Sequence, residues 1–308
     1  MKYYQIVGVT LASEIKFSNL HNSEQTTPDY ILKLGTVIAD SLVASIGLFT
    51  QASASELYHE IPGVARFHCK DKIITVDKNC ASDAQDIKVF LLDTIFAYLL
   101  NQAGYLLLKG SAVKTQAGAL LITSNASNGC SALAATLQQE FSYPIISDGL
   151  LIIKKSLSNP KAVMLIPNNT PLTLWQDSCK HLALDYTQQL AVRANLLKYE
   201  FPIAISTDDE LPINNLIHLT THNADTICYQ SLVATDKIDR ILELTHYPQL
   251  VAASNNTRDS FKLAIQLANT CNISNITRPQ KYNYSQFALQ VYEHLNNNSL
   301  ITTGANNE

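Results

Sequence analysis

The stretch LLITSNASNGCSALAATL, residues 120–137, has the residue types and order of a phosphate-binding segment. An apolar run is followed by small polar residues with one glycine and then by an Ala/Leu-rich stretch, which predicts a strand, a loop and a helix. Backbone N–H groups of such a loop and the positive end of the helix attract an anion without any side chain. The loop residues expected to contact a nucleotide are Ser124, Asn125, Ser127, Asn128, Gly129, Cys130 and Ser131.

The loop departs from a working nucleotide-binding loop at the position that carries the charge. The pattern G-x-x-x-x-G-K-[ST] uses its lysine on the β- and γ-phosphates and its hydroxyl on Mg²⁺. Here Ser124 stands at the first glycine, and Gly129 keeps the second. Cys130 replaces the lysine, whereas Ser131 keeps the hydroxyl. Because a thiol cannot replace that cation, the sequence predicts a loop that has lost its catalytic capacity.

Neighbouring strands must hold this loop in place. GYLLLKGSAV (104–113) and GALLITS (118–124) are apolar runs separated by a turn signal, which predicts two buried strands, and residues 131–140 are predicted to be helical. Further strand candidates are YPIISDGLLIIKK (143–155), KAVMLIP (161–167), NNLIHLTT (214–221) and NISNITRP (272–279), and further helix candidates are SFKLAIQLANTC (260–271) and YSQFALQVYEHL (284–295).

The N-terminal residues are predicted to be rich in β-structure. GVARFHCKDKIITVDK (63–78) alternates apolar and polar residues on either side of Lys70–Lys72, as a hairpin does. A helix follows, with Ser82 and Gln85 as its capping box and Gly104 at its end. The predicted organisation is a β-rich part over 1–84, a loop-bearing core over 85–205, an α/β part over 206–296 and a flexible tail over 297–308.

Composition excludes several classes of function. The 308 residues are 46% hydrophobic and 16% charged, with a formal net charge of -4, so nucleic acid is not an expected partner. Lys33 and Asp40 interrupt the longest apolar stretch, and MKYYQIVGVT lacks the apolar segment of a signal peptide, so neither a membrane span nor export is expected. The six cysteines form no C-x-x-C pair, which is typical of buried free thiols in a cytoplasmic protein.

The run LLLKGSAVKTQAGALLITSNASNGCSALAATL, followed by YPIISDGLLII, resembles the HPr kinase/phosphorylase family, whose fold is shared with bacterial phosphoenolpyruvate carboxykinase. GVTLASEIKF, PLTLWQDS and SFKLAIQLANTCNISNITRP are similar to further segments of that family. The resemblance implies an α/β fold with a P-loop core on a twisted mixed β-sheet, between a β-rich N-terminal part and an α/β C-terminal part. It also implies transfer of a phosphoryl group, with ATP and Mg²⁺, to a serine of a protein or peptide.

Carried over by position, the resemblance implies a damaged catalytic centre. Asp148 matches the first carboxylate of an Asp-Asp pair, and Gly149 stands at the second. Lys109 stands where the family has a histidine, and a long ammonium there is the candidate substitute for the loop lysine. The candidate catalytic residues are therefore Asp148 and Lys109, and the candidate Mg²⁺ ligands are Ser131 and Asp148.

Three interpretations stay open from the sequence. The first is a catalytically impaired pseudokinase that binds a peptide or protein, with ATP and Mg²⁺ bound weakly or not at all. The second is a divergent, active serine kinase that uses Lys109 and Asp148. The third is a regulator in which the helix dipole lowers the pKa of the Cys130 thiol.

His218 and His222 are interpreted as strand residues that are splayed apart rather than a metal pair, and Arg258 is interpreted as a surface residue. The oligomeric state is left open.

Overall fold

The computed structural model has a mixed α/β architecture with several sheets. It describes residues 1–38, 45–125, 128–156, 158–159, 161–206 and 209–304, with the backbone alone for 297–304. Ser127 lies outside the described residues. Among those described, no helix combines the length and apolar character needed to cross a membrane.

The N-terminal residues, predicted to be rich in β-structure, form a mixed sheet. Its strands, in the order β3-β1-β2-β4-β9-β8-β7-β6-β5 across the described part of the sheet, are β1 Lys2–Ile6, β2 Val9–Ser13, β3 His21–Asn22, β4 Tyr30–Leu34, β5 Ser45–Gly47, β6 Thr50–Ala52, β7 Glu56–Ile61, β8 Ala65–Lys70 and β9 Ile73–Lys78. Asp71 and Lys72 both have positive φ, which suits the twist of a two-residue hairpin turn between β8 and β9. The predicted hairpin is therefore confirmed.

A helical segment covers this sheet and ends where the sequence predicts. It consists of α1 Ala84–Phe90, a π-helical turn Leu91–Ile95 and α2 Phe96–Gln102, and Gly104 follows with φ of 86°. The predicted capping box is wrong by one residue, because the Asp83 carboxylate accepts the N–H of Asp86. Ser82 instead donates to the carbonyl of Asn79.

The second sheet carries the loop. Its strands, in the order β11-β10-β12-β13-β17-β19-β18 within the described ranges, are β10 Leu106–Thr115, β11 Gly118–Thr123, β12 Ile145–Lys155, β13 Val163–Ile166, β17 Leu211–His222, β18 Cys228–Ser231 and β19 Asn272–Pro279. A small sheet beside it is built from β14 Leu172–Trp175, β15 Leu190–Ala191 and β16 Lys198–Phe201. The remaining helices described are α3 Cys130–Phe141, α4 Gln176–His181, α5 Thr235–Glu243, α6 Pro248–Ala253, α7 Thr257–Thr270 and α8 Tyr284–Gly304.

Helices cover both faces of the second sheet. Ala119 and Leu121 of β11 pack on the side of α5 and α7, whereas Leu120 and Ile122 pack on the side of α3 and α8. This alternation follows from the two-residue period of a strand and explains why β11 is apolar throughout. The second sheet combines strands from the predicted core (85–205) with strands from the predicted α/β part (206–296). The tail predicted from residue 297 is helical as far as Gly304, and 305–308 lie outside the described residues.

Candidate functional site

A cleft of about 430 Å³ lies at one edge of the second sheet. Strands β11, β17 and β19 are parallel to one another, so their carboxyl ends meet at this edge, where open α/β sheets commonly bind ligands. The candidate residues that line the cleft are Lys109, Ser124, Asn125, Asn128, Gly129, Cys130, Ser131 and Asp148. The fold thus gathers the described sequence candidates into one place.

Strand β11 and helix α3, which flank the cleft, form where the sequence predicts them. Gly129 is the N-cap of α3 and has φ of 92°, a left-handed conformation that glycine adopts without strain. A Cβ at Gly129 would lie 3.2 Å from the Tyr282 hydroxyl and 3.4 Å from Nη2 of Arg278. The first N–H groups of α3 have no carbonyl partner within the helix, Gly129 offers no side chain to cap them, and their residues line the cleft.

Asp148 is the carboxylate that lines this cleft in the described part of the chain, and its side chain is almost fully buried. Its Oδ1 accepts hydrogen bonds from the hydroxyls of Ser111 (2.7 Å) and Ser131 (2.8 Å). Its Oδ2 accepts hydrogen bonds from the backbone N–H of Thr173 (2.9 Å) and from the Thr173 hydroxyl (3.0 Å). All four acceptor positions of the carboxylate are therefore occupied by donors of the protein itself.

This bonding does not fit a Mg²⁺ site at Ser131 and Asp148. Mg²⁺ requires oxygen ligands in near-octahedral geometry, usually a carboxylate oxygen together with water and substrate phosphates. Here the two candidate ligands are hydrogen-bonded to each other, and the second oxygen of Asp148 is held by Thr173. A metal ion bound here would have to replace some of the four hydrogen bonds that already occupy both oxygens of the Asp148 carboxylate.

Lys109 lines the cleft, but its ammonium pairs outside it. Its Nζ lies 3.4 Å from Oδ1 of Asp93 in the π-helical turn, and 61% of the side chain is exposed. Asp93 also accepts a hydrogen bond from the Tyr247 hydroxyl at 2.6 Å. Burial alone would raise the pKa of the Asp93 carboxyl, but the hydrogen bond from His246, the charge of Lys109 and the Tyr247 hydroxyl lower it below its usual range. A phosphate at the loop would have to draw Lys109 away from this anion.

Cys130 is not an activated thiol. Burial raises the pKa of Cys130 to about 11, and the negative charge of Asp148 acts in the same direction. Its Sγ lies 3.2 Å from the Ser124 hydroxyl. The hypothesis of a thiol with a lowered pKa at the helix terminus is therefore contradicted. All six cysteines are free; Cys69, Cys179 and Cys271 are buried, whereas Cys80 and Cys228 are exposed, so the prediction of buried thiols holds for only some of them.

We expect Cys130 to be alkylated slowly at neutral pH. Only the thiolate reacts, so its rate with iodoacetamide should rise about tenfold per pH unit from neutrality and level off only near pH 11. Peptide mass mapping over a pH series measures this, with the exposed Cys80 as the internal reference expected to react first. A plateau for Cys130 near pH 7, or labelling ahead of Cys80, would restore the reactive-thiol hypothesis.

Arg278, near the end of β19, is a site residue that the sequence interpretation missed. It is 6% exposed, its Nη2 donates to the carbonyl of Asn128 at 2.8 Å, and its guanidinium carbon lies 3.9 Å from the centre of the Tyr282 ring. Among the described residues no carboxylate lies within ion-pair distance of it. The available signal was a basic residue at the carboxyl end of a predicted strand. Arg258, which the sequence predicts to be a surface residue, is exposed at the start of α7.

The histidines do not form a metal centre. His218 is buried in β17, and burial lowers its pKa to about 4. His222 at the strand end contacts the carbonyl of Thr226. In the described ranges no group of three or more His, Cys, Asp or Glu side chains is arranged to hold a metal ion.

Comparison with known proteins gives matches among solved structures but none among family models or curated sequences. No protein-family model matches the sequence, and no curated protein sequence matches it. Among solved structures, the chain is similar to the Hpr(Ser) kinase/phosphatase from Coxiella burnetii at 13% identity and a TM-score of 0.33, over 65% of this chain and 93% of that one. A likeness of this size carries no inference about activity, which the residues of the cleft must support by themselves.

Proposed function

We propose that this chain is an HPr-serine-kinase-like protein with a degenerate phosphate-binding loop and a P-loop core, a catalytically impaired pseudokinase that acts as a peptide- or protein-binding regulator. One observation carries the proposal: the four hydrogen bonds that hold Asp148 occupy the carboxylate that a kinase would need for its metal or its substrate hydroxyl. Cys130 stands at the lysine position of the same loop and offers no positive charge.

These features remove what phosphoryl transfer depends on. The reaction proceeds almost entirely by positioning and by neutralising the charge of the transferred group, which a metal and a lysine usually provide. A loss of about 3 kcal/mol of transition-state stabilisation slows a reaction by roughly two orders of magnitude. The cleft has lost both contributions at the loop, so binding without turnover is the role that its chemistry supports.

An apolar rim beside the cleft supports a peptide or protein as the partner. Trp175 lines the cleft and is 43% exposed, and the neighbouring Leu197 is 60% exposed. The two residues lie on neighbouring backbone segments, since Trp175 pairs with Lys198 and the N–H of Gln176 donates to the carbonyl of Leu197. Exposed aromatic and aliphatic side chains next to a polar cleft are typical of surfaces that bind proteins.

A turnover assay tests the proposal. We expect purified protein with ATP and Mg²⁺ to release no more phosphate than heat-inactivated protein, since the loop offers neither the lysine nor an available metal ligand. The matched variants are Lys109→Ala and Asp148→Asn, which should leave any residual release from contaminants unchanged. Mg²⁺-dependent release that either variant abolishes would establish the divergent kinase instead.

A further inference from the structure

We propose that the cleft binds the phosphate group of a small phosphate monoester without a metal ion, through Arg278 and the amino-terminal end of α3. This proposal rests on the proposed binding role of the same cleft and specifies the chemistry of its ligand. It differs from nucleotide binding at a lysine loop because the cation comes from a different strand and Mg²⁺ has no part.

Arg278 is a buried cation whose charge is not neutralised by the described residues. Its Nη1 donates to the carbonyls of Pro279 (2.8 Å) and Gln280 (3.5 Å), its Nη2 donates to the carbonyl of Asn128, and the guanidinium stacks on the Tyr282 ring, but its Nε has no hydrogen-bond partner among the described residues. Carbonyl partners carry no negative charge to balance a guanidinium, and burying a charge without a counter-ion is costly. An anion in the cleft would supply the missing counter-charge.

The amino-terminal end of α3 lies beside this arginine. Nη2 of Arg278 lies 3.4 Å from the point that a Cβ of Gly129, the N-cap of the helix, would occupy. The helix is twelve residues long, and its amino-terminal end carries partial positive charge. A tetrahedral oxyanion suits this arrangement because one oxygen can face the helix N–H groups while another accepts from the guanidinium.

The cleft as a whole is cationic, although the protein is acidic. Apart from Lys109, whose ammonium pairs with Asp93 outside the cleft, its lining holds Lys198 and Arg278 against the single carboxylate of Asp148 within the described part of the chain. The formal net charge of the protein is -4, so this local excess of positive charge is not a property of the whole surface. A cleft lined by charges of one sign concentrates ions of the opposite sign.

The size of the cleft indicates an ester rather than a free phosphate ion. Its volume of about 430 Å³ is in the range of pockets for small organic ligands. Trp175 and Tyr284 line it with aromatic surface, which offers apolar contact to the organic part of a ligand. Inorganic phosphate would leave most of this space to water.

Calorimetric titration in EDTA tests the proposal, with AMP, O-phosphoserine and inorganic phosphate as the probes. We expect at least one of the two esters to bind more tightly than inorganic phosphate, with an affinity that added Mg²⁺ changes less than about threefold. Which ester binds distinguishes a nucleotide source from a phosphoserine source. Arg278→Gln should weaken binding at least tenfold, since a charge-assisted hydrogen bond is lost.

The matched control is Arg258→Gln, which removes an exposed arginine outside the cleft and should leave the affinity unchanged. Arg278→Lys keeps the charge but not the forked donor geometry and should bind with intermediate affinity. Circular dichroism establishes that each variant is folded. If neither Arg278 variant folds, the comparison of EDTA with Mg²⁺ on the unaltered protein still decides whether the site needs a metal.

Four results would overturn the proposal: no binding of either ester at millimolar concentration, binding only with Mg²⁺, equal affinity for the esters and inorganic phosphate, or unchanged affinity in folded Arg278→Gln. None of these results touches the proposed pseudokinase role, which fails only if the protein turns over ATP. The two proposals therefore fail by different measurements.

Discussion

Replacing Lys88 with methionine is expected to lower the free energy of unfolding by about 3–5 kcal/mol, because the substitution leaves a buried carboxylate without its cation. Lys88 is 2% exposed and Glu200 is 6% exposed. The Nζ of Lys88 donates to both carboxylate oxygens of Glu200, at 2.6 and 2.7 Å, and to Oδ1 of Asn19 at 3.0 Å. Gln85 and Asn19 donate to the same carboxylate.

This buried cluster also positions the rim of the cleft. Glu200 lies on β16, and the same strand pairs Lys198 with Trp175, both of which line the cleft. Lys88 lies on α1, so the ion pair joins the helical segment over the N-terminal sheet to the small sheet of the site. We therefore expect the loss of Lys88 to loosen the rim as well as to destabilise the fold.

Urea unfolding of the Lys88 variants measures the effect. The double variant Lys88→Met with Glu200→Gln removes both charges and should recover a large part of the loss, since an uncompensated charge is the main cost. Lys180→Met, an exposed lysine on α4, is the surface control and should change stability by less than about 0.5 kcal/mol. A loss below about 1 kcal/mol in Lys88→Met would show that the pair is not buried in solution.

Replacing Asp148 with alanine is expected to cost about 2–4 kcal/mol of stability while it preserves binding of phosphate esters. The change removes the acceptor of the Ser111 hydroxyl, which is fully buried, and of the Ser131 and Thr173 donors. Because the removed charge is negative and lies in the same cleft as Arg278, the affinity for a phosphate ester should stay the same or rise by a few-fold.

Thermal unfolding and the EDTA titration together measure this prediction. Asp148→Asn is the matched variant, since it keeps the shape and one acceptor oxygen and should lose less stability than Asp148→Ala. In an active kinase the carboxylate would serve the reaction, and its loss would act on turnover or on metal-dependent binding rather than on stability. An Asp148→Ala protein as stable as the unaltered chain would contradict the structural role of this residue.

The local elements of this protein could be predicted from the sequence because short-range forces decide them. The run of apolar residues in β11, the turn at Asp71 and Lys72 and the end of the helical segment at Gly104 each depend on neighbours within a few residues. The helix start was misplaced by one residue because Ser82 and Asp83 are both good caps, and only the geometry chose between them. The strand–loop–helix around Gly129, and its missing lysine, were visible for the same reason.

The state of the candidate site depends on contacts between distant segments. Asp148 appeared in the sequence as an available carboxylate, but Ser111 and Thr173 reach it from 37 and 25 residues away and occupy it. Arg278 stands 150 residues from the carbonyl of Asn128 to which it donates. No periodicity or motif spacing reports such pairs, because only the tertiary fold brings these segments together.

The sequence alone therefore determined where a strand and a helix flank a loop of small polar residues and that no lysine stands in that loop. Those properties depend on the identities of residues 124–131 and on their position between a strand and a helix. Only the tertiary structure decided which charges face that loop. The parallel pairing of β17 with β11 and β19 places Arg278 beside the amino-terminal end of α3, and the ammonium of Lys109, a lining residue, pairs with the Asp93 carboxylate. Charge in a cleft is the sum over all the segments that fold around it, so it cannot be computed from any one of them.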